Sequence, residues 1–285
     1  MAKDLGHETT LFAEPILPIG GFTITNSLFT GWVAVIVLVA IALVLRKKIS
    51  VVPKKFQTLF EIIIEQGLQV ADLVTNNRKL SLKVFPIAIT IFFFVLITNW
   101  LGFFPGVGSI GFIQEHNGHD VLVPLLRGGT ADINTTLALG LVSVIGANIF
   151  GIIIIGFWKL FNKYINIQGI IDIPKKIKSD PVIIITAPIH FLVGLFEVIG
   201  EFAKVASLSF RLFGNIFAGE VLLMSMSLMV AFLVPIPFLF LEIFVGTIQA
   251  LIFALLTVVY FTVASMDHDD HHEESHKTET VSVSH

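Results

Sequence analysis

From residue 189 to residue 234 the chain runs for 46 residues with almost no break in its apolar character. That run limits the fold more than any other feature of the sequence. As an unbroken helix it is about 69 Å long, against about 30 Å of hydrocarbon in a bilayer. It cannot stand upright. Either it breaks, with Gly214 and Gly219 as the natural points, or it lies steeply tilted, as excess hydrophobic length forces. A second overlong run, residues 238–266, is roughly 43 Å as a helix. The Pro235-Ile236-Pro237 link between the two reads as a tight hairpin, because proline ends one helix and can begin the next. Three runs of ordinary spanning length come earlier, at 28–45, 84–104 and 136–158.

Composition agrees with a bilayer rather than water as the solvent. Only 14% of the 285 residues are charged and 55% are hydrophobic, and the mean hydropathy is +0.89. A soluble domain carries about 25% charged residues. The expected fold is therefore all-α and polytopic, a membrane domain over 28–266 with about five hydrophobic helices, the last two long, steeply tilted and paired as a hairpin. Residues 53–75 add an interfacial amphipathic helix, with Phe56, Leu59, Phe60, Ile63, Ile64 and Gly67 on one side and Glu61, Glu65 and Gln66 on another. Stretches 117–132 and 162–181 read as loops, and the acidic, His-rich tail 267–285 as disordered. No internal repeat is visible, which argues against a transporter built on inverted repeats.

Basic residues set the expected topology. Segment 46–83 carries eight (Arg46, Lys47, Lys48, Lys54, Lys55, Arg78, Lys79, Lys83) and 159–181 carries five (Lys159, Lys163, Lys175, Lys176, Lys178), whereas 1–27 and 105–135 carry only Lys3 and Arg127. By the positive-inside rule, the N-terminal segment 1–27 lies outside and the C-terminus is cytoplasmic. Segment 1–27 has no apolar run ending in a cleavage site, so the first hydrophobic helix is expected to be retained.

Charges inside the apolar runs carry the functional information. Glu197, Glu201, Lys204, Arg211 and Glu220 stand in one run and Glu242 in the next. At about 2.5 to 3.5 kcal/mol each, six lipid-facing charges cost on the order of 18 kcal/mol. They must face protein, water or one another. At about 100° per residue, Glu197, Glu201, Lys204, Arg211 and Asn215 form one stripe, and Glu220 falls about 140° from its origin. Glu242 and Gln249, seven apart, share a face of the following helix. This suits an ion pathway in two pieces separated by a fixed positive charge. Plainer readings stand beside it. Glu201 and Lys204 are spaced for a local ion pair, Glu197 suits an interfacial position, Arg211 a snorkelling one, and Glu220 and Glu242 suit interhelical contacts.

Other signals are weaker. Gly106, Gly108 and Gly111 fit G-x-G-x-x-G but follow a membrane span, and read as a turn. His268, His271, His272 and His276 read as part of a solvated tail rather than a metal site, and His190 as a hydrogen-bonded interface residue. No H-E-x-x-H and no phosphate-binding loop occur. Asn134-Thr-Thr fits a glycosylation sequon, a common tripeptide. The absence of cysteine excludes thiol chemistry and disulfides, and a net charge of −3 offers nothing to nucleic acid. Neither metal nor cofactor is expected.

The string Ser207-Leu-Ser-Phe-Arg211-Leu-Phe-Gly-Asn215-Ile-Phe-Ala-Gly-Glu220 resembles the signature of the a subunits of rotary F-type ATP synthases. Ala131-Asp-Ile-Asn-Thr-Thr-Leu137 and Gln249-Ala-Leu-Ile-Phe-Ala-Leu-Leu-Thr-Val-Val-Tyr260 extend the similarity, which covers roughly residues 28–266. The resemblance implies a non-catalytic stator in a bacterial inner membrane, beside a ring of c subunits and joined to the b-subunit peripheral stalk and the rest of the complex. It implies that Arg211 faces the ring carboxylates, that Asn215 and Gln249 lie near it, and that Glu197, Glu220 and Glu242 line two offset half-channels. Glu201, Lys204 and Ser207 fall to supporting roles. Two positions depart from the pattern: Val205 stands where many relatives have proline, and Glu220 and Glu242 are both carboxylates where many relatives pair a carboxylate with histidine. The physics suits the role, because a guanidinium stays charged even when poorly solvated, whereas lysine can lose its proton. The rival reading is a stand-alone ion channel or secondary transporter. A membrane-embedded hydrolase lacks a nucleophile, base or metal set.

Overall fold

A computed structural model describes residues 13–19, 22–50, 55–104, 110–116, 119–158, 183–229 and 233–266. Six helices dominate: α1 (Asn26–Lys48), α2 (Lys55–Thr75), α3 (Arg78–Phe103), α4 (Ile133–Ile155), α5 (Ile183–Met229) and α6 (Pro235–Ser265). The protein is all-α and polytopic. Helices α1, α3, α4 and α6 each contain a stretch long and apolar enough to cross a membrane. Loop 162–181, the tail from 267 onward and the side chain of His190 lie outside what is described.

Burial is inverted relative to a protein in water. In α1, Asn26, Ser27 and Thr30 are buried along with Ala34, while Ile36, Val39 and Leu43 are exposed. In α3 the fully buried residues include Thr98 and Asn99, while Ile87 and Trp100 point outward. In hydrocarbon, apolar side chains gain nothing by hiding, and helices associate instead through small and polar residues whose hydrogen bonds must be met inside.

Those bonds are present. The chain forms two compact units, Met1–Gly140 with Ala206–Val258, and Leu141–Val205 with Val259–His285. In the first, Asn99 Nδ2 donates to the Gly246 carbonyl at 3.2 Å and Trp100 Nε1 to Thr247 Oγ1 at 3.1 Å, joining α3 to α6. Thr130 Oγ1 donates to Asn99 Oδ1, and Ser209 Oγ of α5 donates to the Thr136 carbonyl at 3.1 Å. Asp132 caps α4 by accepting from the Asn134 N–H at 3.1 Å, and it also accepts from Ser27 Oγ at 2.9 Å. In the second unit the rings of Phe150 and Phe261 meet at 5.3 Å between centroids.

Of the two alternatives for the long apolar run, the unbroken helix is the one present: α5 continues through Gly214 and Gly219 over 47 residues, about 70 Å at 1.5 Å per residue. A helix-interior glycine costs only about 1 kcal/mol, which at Gly219 the seat it leaves for Glu242 offsets. The prolines at 235 and 237 lie in the first turn of α6, where their missing N–H groups cost nothing, and the turn comes before them at 233–234. The stretch read as loop 117–132 contributes a strand, pairing β3 (Gly111–His116) with β4 (His119–Pro124), so Gly111 opens a strand. A second hairpin, β1 (Pro15–Ile19) with β2 (Phe22–Thr25), precedes α1.

The α2–α3 turn is built by Asn76, whose φ of 49° asparagine tolerates, and by Asn77, whose side chain accepts from the Lys79 N–H at 3.0 Å to cap α3. Asp72 and Arg78 pair across it. Hydrogen bonding from Ser81, then the Arg78 guanidinium, holds the Asp72 carboxyl below its ordinary value of 3.8. A lowered carboxyl stabilises the fold above its unfolded value, and that contribution is lost as pH falls through the lowered one. Amide exchange over residues 76–81 is therefore expected to quicken as pH drops from about 7 to about 3 beyond the intrinsic trend, and Asp72→Asn to flatten the excess. An unchanged profile in that variant contradicts the assignment.

Candidate functional site

Arg211 stands on the exposed face of α5 with Ser207, Phe210, Gly214 and Ala218. Its one described bond is a long one, 3.4 Å from Nη2 to Ser207 Oγ. Among the described residues no carboxylate pairs with it. The opposite face of the same turns is the buried one, with Leu208, Leu212 and Ile216 packed inward at helical spacing. Gly214 leaves the outer surface clear, because a β-carbon there meets nothing within 4 Å. A permanent cation thus projects from a helix whose remaining outward groups are small or apolar.

Glu220 and Glu242 are placed quite differently. Glu242, on α6, is 7% exposed, and its carboxylate fills the space that a β-carbon on Gly219 would need. Glycine at 219 thus gives α6 its seat against α5. Gln249 is also 7% exposed, so the two residues expected to share a face of α6 are both turned inward. Glu242 Oε2, Gln249 Nε2 and Asn215 Nδ2 are buried without a hydrogen-bond partner among the described residues. Leaving such groups unmet costs about 1–3 kcal/mol each. Three on two adjacent helices form a polar seam of a kind that packing alone does not favour.

Glu220 is paired. Arg127 Nε donates to its Oε2 at 3.1 Å, with the arginine 8% and the glutamate 17% exposed. From the sequence alone Arg127 bears only on topology. The available signal was an arginine set between Leu-Leu and Gly-Gly in a segment otherwise poor in basic residues. Its partner lies 93 residues away, beyond the reach of any local pattern. Along α5, Arg211 and Glu220 are nine residues apart, about 14 Å on the axis.

In the other unit, Lys204 Nζ donates to Glu201 Oε1 at 2.6 Å, the local ion pair its spacing suggested. Asn148 Nδ2 of α4 donates to Glu201 Oε2 at 3.2 Å, and Lys204 Nζ sits 5.5 Å from the Tyr260 ring centroid. Glu197 is half-buried on the same helix. The expected stripe therefore divides into a structural cluster at Glu201 and Lys204 and an outward cation at Arg211.

Residues 28–262 match the family described as ATP synthase A chain. The protein is 35% identical over 254 residues to ATP synthase subunit a of Mycobacterium ulcerans, covering 87% of this chain and 90% of that one. It is 33% identical over 249 residues to the subunit a of Syntrophobacter fumaroxidans, covering 86% of each. It is also 30% identical over 255 residues to the ATP synthase subunit a, sodium ion specific, of Propionigenium modestum, covering 89% of this chain and 78% of that one.

The two glycines of α5 give a paired test of this packing. Gly214→Ala is expected to raise stability by about 0.5–1 kcal/mol, the helical preference of alanine with nothing in its way. Gly219→Ala is expected to lower it by about 1–3 kcal/mol as Glu242 is driven from its seat. Thermal unfolding in mild detergent reads both, and equal shifts for the two variants contradict the seating of Glu242 on Gly219.

Proposed function

The chain belongs to the ATP synthase A chain family, and from that membership we propose that it is the ion-translocating stator of the membrane sector, doing no chemistry on nucleotide itself. In this reading it sits in a bacterial plasma membrane with its N-terminus outside and its C-terminus in the cytoplasm. Its long helices α5 and α6 lie tilted against a ring of c subunits, and a b-subunit stalk holds it to the rest of the complex.

The observation that carries the reading is Arg211. It projects from a face of α5 lined by small and apolar residues and has no carboxylate partner among the described residues. A charge so placed is too costly to leave to lipid, so its counter-ion comes from a neighbouring protein. A ring carboxylate meets that need. As a protonated carboxylic acid turns towards the guanidinium, the fixed cation favours its ionised form and drives the proton out. The same cation repels a proton that would otherwise cross directly. Each charge that crosses gains about 2.3 kcal/mol per 100 mV, and that work becomes rotation only if the direct route is closed.

In this reading Glu197, Glu220 and Glu242 line two offset half-channels, Asn215 and Gln249 lie near Arg211, and Glu201, Lys204 and Ser207 are in support. The seam's unmet hydrogen-bonding groups suit a file of water along which protons pass.

Two outcomes test the reading. Arg211→Ala is expected to abolish proton-driven ATP synthesis by the complex reconstituted in proteoliposomes, and robust coupled synthesis by that variant overturns it. We assign H⁺ as the ion. ATP-driven pumping is then expected to proceed without sodium and to collapse with a protonophore. Pumping that requires sodium and survives the protonophore places the ion of this chain with that of the Propionigenium relative instead.

A further inference from the structure

Glu220 is held from one side by a single loop. Arg127 Nε engages its Oε2 at 3.1 Å. The next residue, Gly128, lies so close that a β-carbon there would stand 3.1 Å from Oε1 and 3.4 Å from Ile216 Cγ2. This loop is itself fixed by three elements. The Arg127 N–H donates to Thr30 Oγ1 of α1 at 3.2 Å. The Gly128 carbonyl accepts from the Ala131 N–H at 2.9 Å. A β-carbon on Gly102 of α3 would collide with the Gly128 backbone. Arg127 and Arg211 thus hold opposite stations in one fold: the first is buried and spent on a carboxylate of its own chain, the second is outward.

We propose that Arg127 and the Gly128 backbone are the positioning element for Glu220, holding its carboxylate in one orientation at the loop-side mouth of the ion pathway, so that ion entry through Glu220 depends on that hold. The inference rests on the reading of Glu220 as an ion-carrying group. Three features of the geometry argue for it. The pair bridges a connecting loop and the helix that carries Arg211. A buried carboxylate stripped of its cation is strongly disfavoured, so Arg127 decides whether Glu220 can stay where it is. Arg127 bonds one oxygen of the carboxylate and Gly128 lies close beside the other, which limits its rotation as well as its place.

The test uses the whole complex in proteoliposomes, with ATP-driven proton pumping measured alongside the amount of intact complex. Arg127→Gln is expected to lower pumping about tenfold or more with the complex intact, since misplacing a positioned group by about 1 Å can cost up to about 10²-fold. Arg127→Lys restores the charge with poorer geometry and is expected to recover most of the loss, to within about threefold of the parent. In a Glu220→Gln background, Arg127→Gln is expected to add less than about twofold, because the group it positions is already gone. Gly128→Ala keeps both charges, crowds the carboxylate and is expected to lower pumping. If Arg127→Gln does not assemble, the Lys and Gly128→Ala variants decide by the same criteria. Near-parental pumping by Arg127→Gln, no recovery with lysine, or multiplying losses in the double variant overturns the inference. Parental pumping by Glu220→Gln overturns the underlying reading of Glu220 instead.

Discussion

An outward guanidinium on a long apolar helix, Arg211 on α5, is the constraint on which the proposed function depends. On insertion scales an arginine at the centre of a spanning helix costs about 2.5–3.5 kcal/mol, a large share of the 5–15 kcal/mol that holds a typical protein together. Arg127, on the loop ahead of α4, is paired with Glu220 of the same chain. Arg211 has no such pairing among the described residues, and its described contact is a long bond to a serine hydroxyl. The same sequence thus neutralises one buried arginine and leaves another facing outward. Outward, on a surface with Gly214 and Ala218 beside it, the cation is accessible to a partner helix and useless to the monomer.

The rest of the fold keeps that projection rigid. Helix α5 is anchored on its inner face by Leu208, Leu212 and Ile216 and by the Ser209 bond to the start of α4. Glu242 seated on Gly219 and the Asn99 bond to the Gly246 backbone hold α6 in the same unit. Apolar packing by Leu208, Leu212 and Ile216 is thus joined by small residues and polar bonds, which favour helix association where the surrounding solvent is itself hydrocarbon.

How much of this could be read from the chain depends on the range of the interaction. Helices announced themselves through apolar runs, because a bilayer demands unbroken hydrophobic length. The Glu201–Lys204 pair was legible because its partners are one turn apart, and the inward face of Glu242 and Gln249 because seven residues make nearly two turns. Arg127 was not legible as the partner of Glu220, since nothing local to either residue specifies the other. Whether Gly214 and Gly219 break the helix stayed open in the sequence, because propensity is a local quantity while the reason for Gly219 is a carboxylate on another helix. The hairpins at 15–25 and 111–124 escaped notice because short strands outside the bilayer carry too few residues to show alternation against an apolar background. At the α5–α6 junction the prolines were correctly read as punctuation but misplaced by a few residues, since proline is as well suited to a helix's first turn as to the turn before it.

The central claim is that the Arg211 cation finds its counter-ion on another subunit. A structure of the assembled complex in lipid tests it directly. The account predicts the guanidinium well inside the hydrocarbon and within about 6 Å of a carboxylate on a ring helix, the range over which such charges bias one another. An Arg211 side chain found among phospholipid headgroups, or paired with a carboxylate of its own chain, contradicts it.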